Sequence, residues 1–344
     1  MSLPGFASRS THDGSGRSPS SREAFGKWFD VAPGYLNTAS IGVPPVDAVS
    51  AVRDALERWQ RGEDRPSSFE PAIATARAGF AALAGVPVES VACGTTVSQL
   101  IGSIAATLRP GARVLVAAED FTSVTLPFVA QGFDVTAVPL TELVSAVDGH
   151  DLVAVSVVQS ADGRIADLDG LRACGVPVLL DVSQALGWYP LSLGWADFVV
   201  GVAYKWLMAP RGVAWLAVRP DRLDDIVPVA ANWFSTNENY GVVLPMAPDA
   251  RRLDLSPTWF AHTGAAVTLP WLASLDMKEV RDHCVGLADS LLAGLGLPPK
   301  GSAIVSLETK REVPRASLRA GRLRLAFHLF NTAEDVDLVL EALA

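Results

Sequence analysis

Two apolar runs, each ending at a charged residue, constrain this chain more than any other stretch. Between Val178 and Gly212 the sequence reads VLLDVSQALGWYPLSLGWADFVVGVAYKWLMAPRG. The first run, Val176 with Val178, Leu179 and Leu180, stops on Asp181. The second, Phe198, Val199, Val200 and Val202, leads to Lys205, with Pro210 and Gly212 close behind. Strands buried on both faces of a parallel sheet read as such runs. Ligands sit beyond the carboxyl ends of those strands, so one strand end offers an anion and the next an amine.

Pyridoxal phosphate uses both groups. An aspartate keeps the pyridine nitrogen protonated, so the ring can take electrons from the Cα of an amino acid. A lysine forms the imine, is displaced by the substrate amine, and then carries protons as a general base. Singly, Asp181 reads as a cap at Ser183 and Lys205 as a solvated loop lysine. Their placement at the ends of two buried runs favours the cofactor.

With 344 residues, 49% of them hydrophobic, the chain can bury one large and one small domain. A net charge of −9 argues against nucleic acid or an anionic membrane as the main partner. Cys93, Cys174 and Cys284 are widely spaced and the histidines are scattered, which points to no metal site or disulfide framework and to a reducing cytoplasm. No apolar run is long enough to span a bilayer, and the first residues lack a signal core.

Along the chain, residues 1–22 are rich in Ser, Gly and Arg and are expected to form a disordered leader, with order starting near Phe25–Phe29. Val46, Val49, Val52, Leu56 and Trp59 have helical spacing and are expected to pack inward. A second helix is expected over Phe69 to Ala84, closed by Gly85. A short strand then ends at Gly94, and Thr95-Thr96 open a helix. Free N–H groups at that helix start suit a phosphate ester, or Thr96 is an ordinary N-cap. Strands at Val114–Ala118, at LVAVSVV and at Gly212–Pro220 follow. Residues 221–258 read as a long loop facing the active site, and a helix starts near Gly264. This alternation predicts an α/β fold with a mostly parallel sheet. A large domain over residues 23–262, whose N-terminal segment is expected to contribute to the small domain, precedes a small α+β domain over 263–344.

D-x-S-Q followed by Y-K-W-L-M-A-P-R-G resembles the class V aminotransferase group of fold-type I PLP enzymes, which includes cysteine desulfurases and kynureninase. The resemblance implies a seven-stranded sheet sandwiched by helices and a homodimer. It makes Lys205 the Schiff-base lysine, Asp181 the pyridinium partner and Gln184 a hydrogen-bond donor to the phenolic oxygen of the cofactor. Thr95 and Thr96 match the phosphate-binding turn. Phe121, unless it is a core residue, takes the place of the aromatic ring that stacks on the cofactor. Ser160, or Gln159 before it, takes the place of an Asn near the cofactor oxygen. Ser183 and Tyr204, the latter in place of a His, complete the cofactor-binding set. R-L-A-F-H-L-F-N-T matches the closing pattern, so Arg324 binds the substrate α-carboxylate or is a surface arginine on an edge strand. Asn37 lies in a loop that reaches the active-site mouth and is a candidate substrate contact, although a plain turn is favoured. Asn331-Thr332 is expected to cap the last helix.

These residues imply a PLP-dependent enzyme acting on an amino acid, with transamination the default. The alternative is carbon–sulfur lyase, desulfurase-like or kynureninase-like chemistry without a persulfide cysteine, because Cys284 sits in a helical pattern and reads as buried. A different class, a binding or regulatory module on the same fold, is raised by Ala203, Tyr204, His262 and Ala265, which replace groups that relatives place near the phosphate. Retention of Asp181, Gln184, Lys205 and Arg324 together favours the enzyme.

Overall fold

Alternate residues of the apolar runs bury against opposite faces of one sheet, and this sets the layers of the molecule. The computed structural model describes residues 21–236, 240–241, 244–309 and 311–344. Residues 1–20, most of the expected leader, lie outside the described residues. Ser21 and Arg22, also expected in the leader, instead belong to a strand.

The elements, in chain order, begin with the hairpin β1 (Ser21–Ala24) and β2 (Lys27–Asp30), then α1 (Val46–Gln60), α2 (Glu70–Ala84), β3 (Val91–Gly94) and α3 (Val97–Ala105). Next come β4 (Arg113–Ala117), α4 (Thr122–Ala130), β5 (Asp134–Val138), β6 (Leu152–Ser156), α5 (Leu168–Ala173), β7 (Val178–Asp181), β8 (Phe198–Val202) and β9 (Ala214–Val218). The chain closes with α6 (Trp259–Ala273), α7 (Met277–Gly294), β10 (Ile304–Leu307), β11 (Ser317–Arg319), β12 (Arg322–Ala326) and α8 (Ala333–Leu343).

The central sheet has seven strands in the order β3-β9-β8-β7-β6-β4-β5. Its inner pairs are parallel, while β9 runs antiparallel to both β8 and β3. Along β7 and β8, Leu179, Phe198, Val200 and Val202 join α3 and α4 on one face, whereas Val178, Leu180 and Val199 join α2 and α6 on the other. This is the period of two that a pleated strand imposes. Each such aliphatic side chain withdrawn from water contributes about 1.5–3 kcal/mol.

A second, three-stranded antiparallel sheet, β10-β12-β11, packs with α7 and α8 through Leu291, Leu292, Val305, Leu325 and Val339. The division expected between residues 262 and 263 falls inside α6. That helix lies against α1 and α2, with Gly79 admitting Leu269 and Gly264 admitting Pro210. Val280, Cys284 and Val285 of α7 join the same core.

Helix α1 also departs from expectation. Val46, Val49, Leu56 and Trp59 are exposed, Trp59 by 61%, and the buried residues are Ala48 and Ala55. The small alanine face lets α1 approach α6, where Val52 lies against Gly264 and the Trp59 ring meets Phe260 edge-on, while Val46, Val49 and Leu56 stay exposed. Thr332 caps α8, and its N3 residue, the buried Asp335, accepts from Arg22, Gly34, Asn331 and Thr332.

The register places the carboxyl ends of the strands at one edge. Ser156 of β6 is level with Asp181 of β7, and Asp181 with Val200 of β8. Ala214 of β9 lies between Val202 of β8 and Gly94 of β3. The turns after Gly94, Ser156, Asp181 and Val202 therefore open onto the same end of the sheet.

Candidate active site

Lys205 lies three residues past the end of β8 and is only 8% exposed. Among the described residues its Nζ makes no hydrogen bond or ion pair. The Phe121 ring centre lies 5.4 Å from it and the Tyr204 ring centre 5.9 Å. Burial pushes the amine down to about 8, Asp181 opposes this, and Arg324 and Arg319 add to it. Asp181 is buried and accepts from the Ser183 N–H at 2.8 Å, a two-residue turn rather than a helix cap. Burial raises its carboxyl above the ordinary range, partly offset by Ser183 and Lys205.

The lysine loop is held by close backbone contacts. A Cβ on Gly42 would collide with the Lys205 carbonyl oxygen, and one on Gly187, at φ +107°, would meet the Trp206 carbonyl at 2.6 Å. Met208 adopts φ 51°, a conformation that costs a non-glycine residue about 1 kcal/mol or more and clusters at functional sites.

Gln184 links the aspartate turn to the lysine loop. Its Nε2 donates to Ala39 O at 3.0 Å and Ser160 Oγ at 3.2 Å, and its Oε1 accepts from the Trp206 indole at 2.7 Å. Both amide hydrogens have acceptors within the protein. Ser183 acts similarly, its Oγ accepting from the Val202 N–H at 3.3 Å.

Phe121 begins α4 and is 44% exposed, so it is not a core residue. Asp120 fixes it by accepting from the Phe121 N–H at 2.7 Å, and also accepts from the Ser156 N–H at 2.7 Å and Oγ at 2.5 Å. Thr96 is the N-cap of α3, accepting from the Gln99 N–H at 3.3 Å, while Thr95 donates to Gln99 Oε1 at 3.0 Å. Tyr204 packs against the apolar cluster to which Val97 of α3 also belongs. The Arg211 guanidinium lies 5.3 Å from the Tyr204 ring centre.

Arg324 is 1% exposed and lies on the central strand of the small sheet, not on an edge. It donates to Ser160 O at 2.6 Å, Ser160 Oγ at 3.1 Å, Ser40 Oγ at 2.7 Å and Ser317 Oγ at 3.2 Å. All four partners are neutral. Burial, with Arg319 nearby, lowers its pKa to about 10. A buried cation without a counterion is costly, and among the described residues Arg324 has no carboxylate partner. Asn37 lies in a turn, the plainer of its two expected readings. Its carbonyl closes a turn with Ser40 at 2.8 Å, and its buried Oδ1 has no partner among the described residues. Gln159 is buried, with its Nε2 3.4 Å from Ser156 O and its side chain also hydrogen-bonded to Asp120.

The segment expected to start a helix near Gly264 is already helical from Trp259, and His262 and Ala265 are buried within their own chain. Thr263 donates to Trp259 O at 3.1 Å inside the helix. Cys284 is buried on α7, where burial raises its thiol well above the usual range. Of the long loop, Asn237, Glu238 and Asn239 lie outside the described residues, while Asn232 donates to Asp254 O at 2.7 Å.

Sequence reasoning missed Ser40, Asp120, Ser156 and Trp206. Ser40 and Gly42 lie in the ASIG stretch beside Asn37, so their signal was a small residue next to a segment already read as reaching the site. The residues present fit pyridoxal phosphate. An unbonded buried amine lies under an aromatic ring, with a buried carboxylate at the adjacent strand end and a helix N-terminus at the same sheet edge.

The sequence matches the model of the family Aminotransferase class-V over residues 61–317. It is 26% identical over 306 residues to the uncharacterized aminotransferase YcbU of Bacillus subtilis (strain 168), covering 78% of this chain and 82% of that one. It is 29% identical over 363 residues to a probable hercynylcysteine sulfoxide lyase of Mycobacterium tuberculosis (strain CDC 1551 / Oshkosh), covering 85% and 86%. Among solved structures, a cystine C-S lyase, C-DES, in complex with its product cysteine persulfide superimposes with a TM-score of 0.81 at 18% identity, over 91% of this chain and 97% of that one. The sheet order, the site at its carboxyl edge and a family match over most of the chain lead to one conclusion: the chain belongs to the aminotransferase class-V family and is a pyridoxal-phosphate-dependent enzyme.

Proposed function

We propose that this protein transfers the amino group of an amino acid, with Lys205 as the imine-forming lysine and proton carrier. The observation that carries the reading is the buried, unbonded Lys205 amine beside Asp181, in a site where Arg324 has only neutral partners. Pyridoxal phosphate, when bound, supplies the electron sink that allows a bond at Cα to break. The chain contributes the rest. Asp181 holds the proton of the ring nitrogen, and its burial leaves that charge poorly screened. Phe121 covers one face of the ring. Thr95, Thr96 and the first N–H groups of α3 take the phosphate, with Tyr204 beside them. Ser160, Ser183 and Gln184 hold these groups in place. Arg324 grips the α-carboxylate through its planar fork, and Asn37 offers Oδ1 to the substrate. With a pKa near 8, Lys205 serves as a base near neutral pH.

Carbon–sulfur bond cleavage is the second reading, favoured by the likeness to a probable sulfoxide lyase. It would proceed without a cysteine nucleophile, given the burial of Cys284. The exposed row of Val46, Val49, Leu56 and Trp59 supports a homodimer, and the free thiols fit a reducing cytoplasm.

The test incubates purified protein with pyridoxal phosphate and then with single amino acids. Formation of 2-oxo acids paired to a second oxo-acid acceptor supports transamination. Release of ammonia or sulfide without an acceptor replaces it with the lyase reading.

A further inference from the structure

A second guanidinium shares Ser40 with Arg324. Arg319 Nη2 reaches Ser40 Oγ at 3.3 Å and Arg324 Nη2 reaches it at 2.7 Å. The two cations therefore lie within about 6 Å of each other, where like charges repel. Both project from one face of the β11–β12 hairpin, because Ser317 is level with Arg324 and Arg319 with Arg322. A two-residue turn at Ala320 (φ 48°) and Gly321 (φ 74°) fixes Arg319 at the last strand position. A third arginine on this face, Arg322, is neutralised by Glu308. Arg319 and Arg324 have no carboxylate partner among the described residues. The other acceptor for Arg319 is the Leu318 carbonyl, at 3.0 Å.

We propose that Arg319 is a specificity-determining residue that binds a second anionic group, so that the substrate is an amino acid whose side chain ends in a carboxylate or comparable oxyanion. This rests on the reading of Arg324 as the α-carboxylate site. Arg324 is buried and Arg319 is exposed, so the α-carboxylate takes the inner guanidinium and the side-chain anion the outer one. A planar guanidinium suits either anion because it can donate two parallel hydrogen bonds. An amide of the same length would leave the outer cation without its counterion.

The test uses the pyridoxal-phosphate-loaded protein and reads binding from the change in its visible band. L-Aspartate, L-glutamate and L-2-aminoadipate cover three side-chain lengths, each compared with its side-chain amide. L-Cysteine sulfinate separates a sulfur oxyanion from a carboxylate. At least one acidic ligand is expected to bind tenfold or more tightly than its neutral counterpart. Arg319→Gln should remove that preference and leave the affinity for the amides within twofold, while Arg324→Gln should weaken acids and amides alike. A wild type that does not distinguish acid from amide, or an Arg319→Gln protein that keeps the preference, overturns the proposal. Failure of the cofactor to give any visible band is a separate result, which overturns the functional reading and this proposal with it.

Discussion

The indole N–H of Trp206 donates to Gln184 Oε1 at 2.7 Å, joining the residue after the lysine to the residue three positions past the aspartate. The two halves of the site are thereby held by a buried amide whose remaining hydrogens go to Ala39 and Ser160. Gln184→Leu leaves the Trp206 donor and the Ala39 acceptor buried without partners. The cost expected is about 1–3 kcal/mol for each unsatisfied group, read as a lower denaturant midpoint. A change under about 0.5 kcal/mol, the level typical of a neutral surface substitution, would show that the amide is not a structural tie.

Lys205 is a source of instability in the cofactor-free protein. Its folded pKa, about 8, lies below the ordinary 10.5, so folding disfavours the ammonium form. Between those values the unfolded chain holds a proton that the folded one does not, and stability rises with pH. Below pH 8 the penalty is fully present. Lys205→Met is therefore expected to stabilise the cofactor-free protein at pH 7 by an amount on the order of 3 kcal/mol, with the gain shrinking towards pH 10.5. Thermal melts of both proteins across that range check this, and a destabilised variant at pH 7 contradicts it.

Arg324→Gln should raise KM for an amino-acid substrate roughly 10–100-fold, the scale of one charge-assisted hydrogen-bonded contact. Arg324→Lys should recover little, because an ammonium cannot reproduce the planar fork. Steady-state kinetics separate these effects, and an unchanged KM in the Gln variant would remove Arg324 from the substrate site.

Much of this was legible in the chain because burial and charge alternate sharply there. The runs ending on Asp181 and leading to Lys205 gave the sheet, and Gly85 at φ +66° gave the end of α2. The outward turn of Val49 and Leu56 was not legible, since helical periodicity reports a stripe but not which stripe meets α6. Nor were the protein partners of Gln184, because Ala39 and Trp206 come from distant segments. Ser40 gave only the weak signal of a small residue beside Asn37. Its importance arises only when β11 and β12 bring two arginines to it.

The exposed face of α1 yields its own expectation. Trp59→Glu places a charge in the apolar row and should convert a dimer into a monomer in light scattering, with little change in monomer stability because Trp59 is 61% exposed. A monomeric wild type that still loads cofactor would contradict a shared-site dimer.

Cys284→Ala should leave turnover within twofold, as the thiol is buried on α7 away from solvent. Loss of most activity in a variant that still folds and takes up cofactor would point to a cysteine-dependent mechanism instead.

The central claim is that Lys205 carries the cofactor, and one experiment addresses it directly. The protein is loaded with pyridoxal phosphate, reduced with borohydride, digested and mapped by mass spectrometry. The chain holds Lys27, Lys205, Lys278, Lys300 and Lys310 as alternatives to one another. The account predicts a stoichiometric phosphopyridoxyl adduct on the peptide containing Lys205. An unmodified Lys205 peptide, or label spread over the surface lysines, would contradict it.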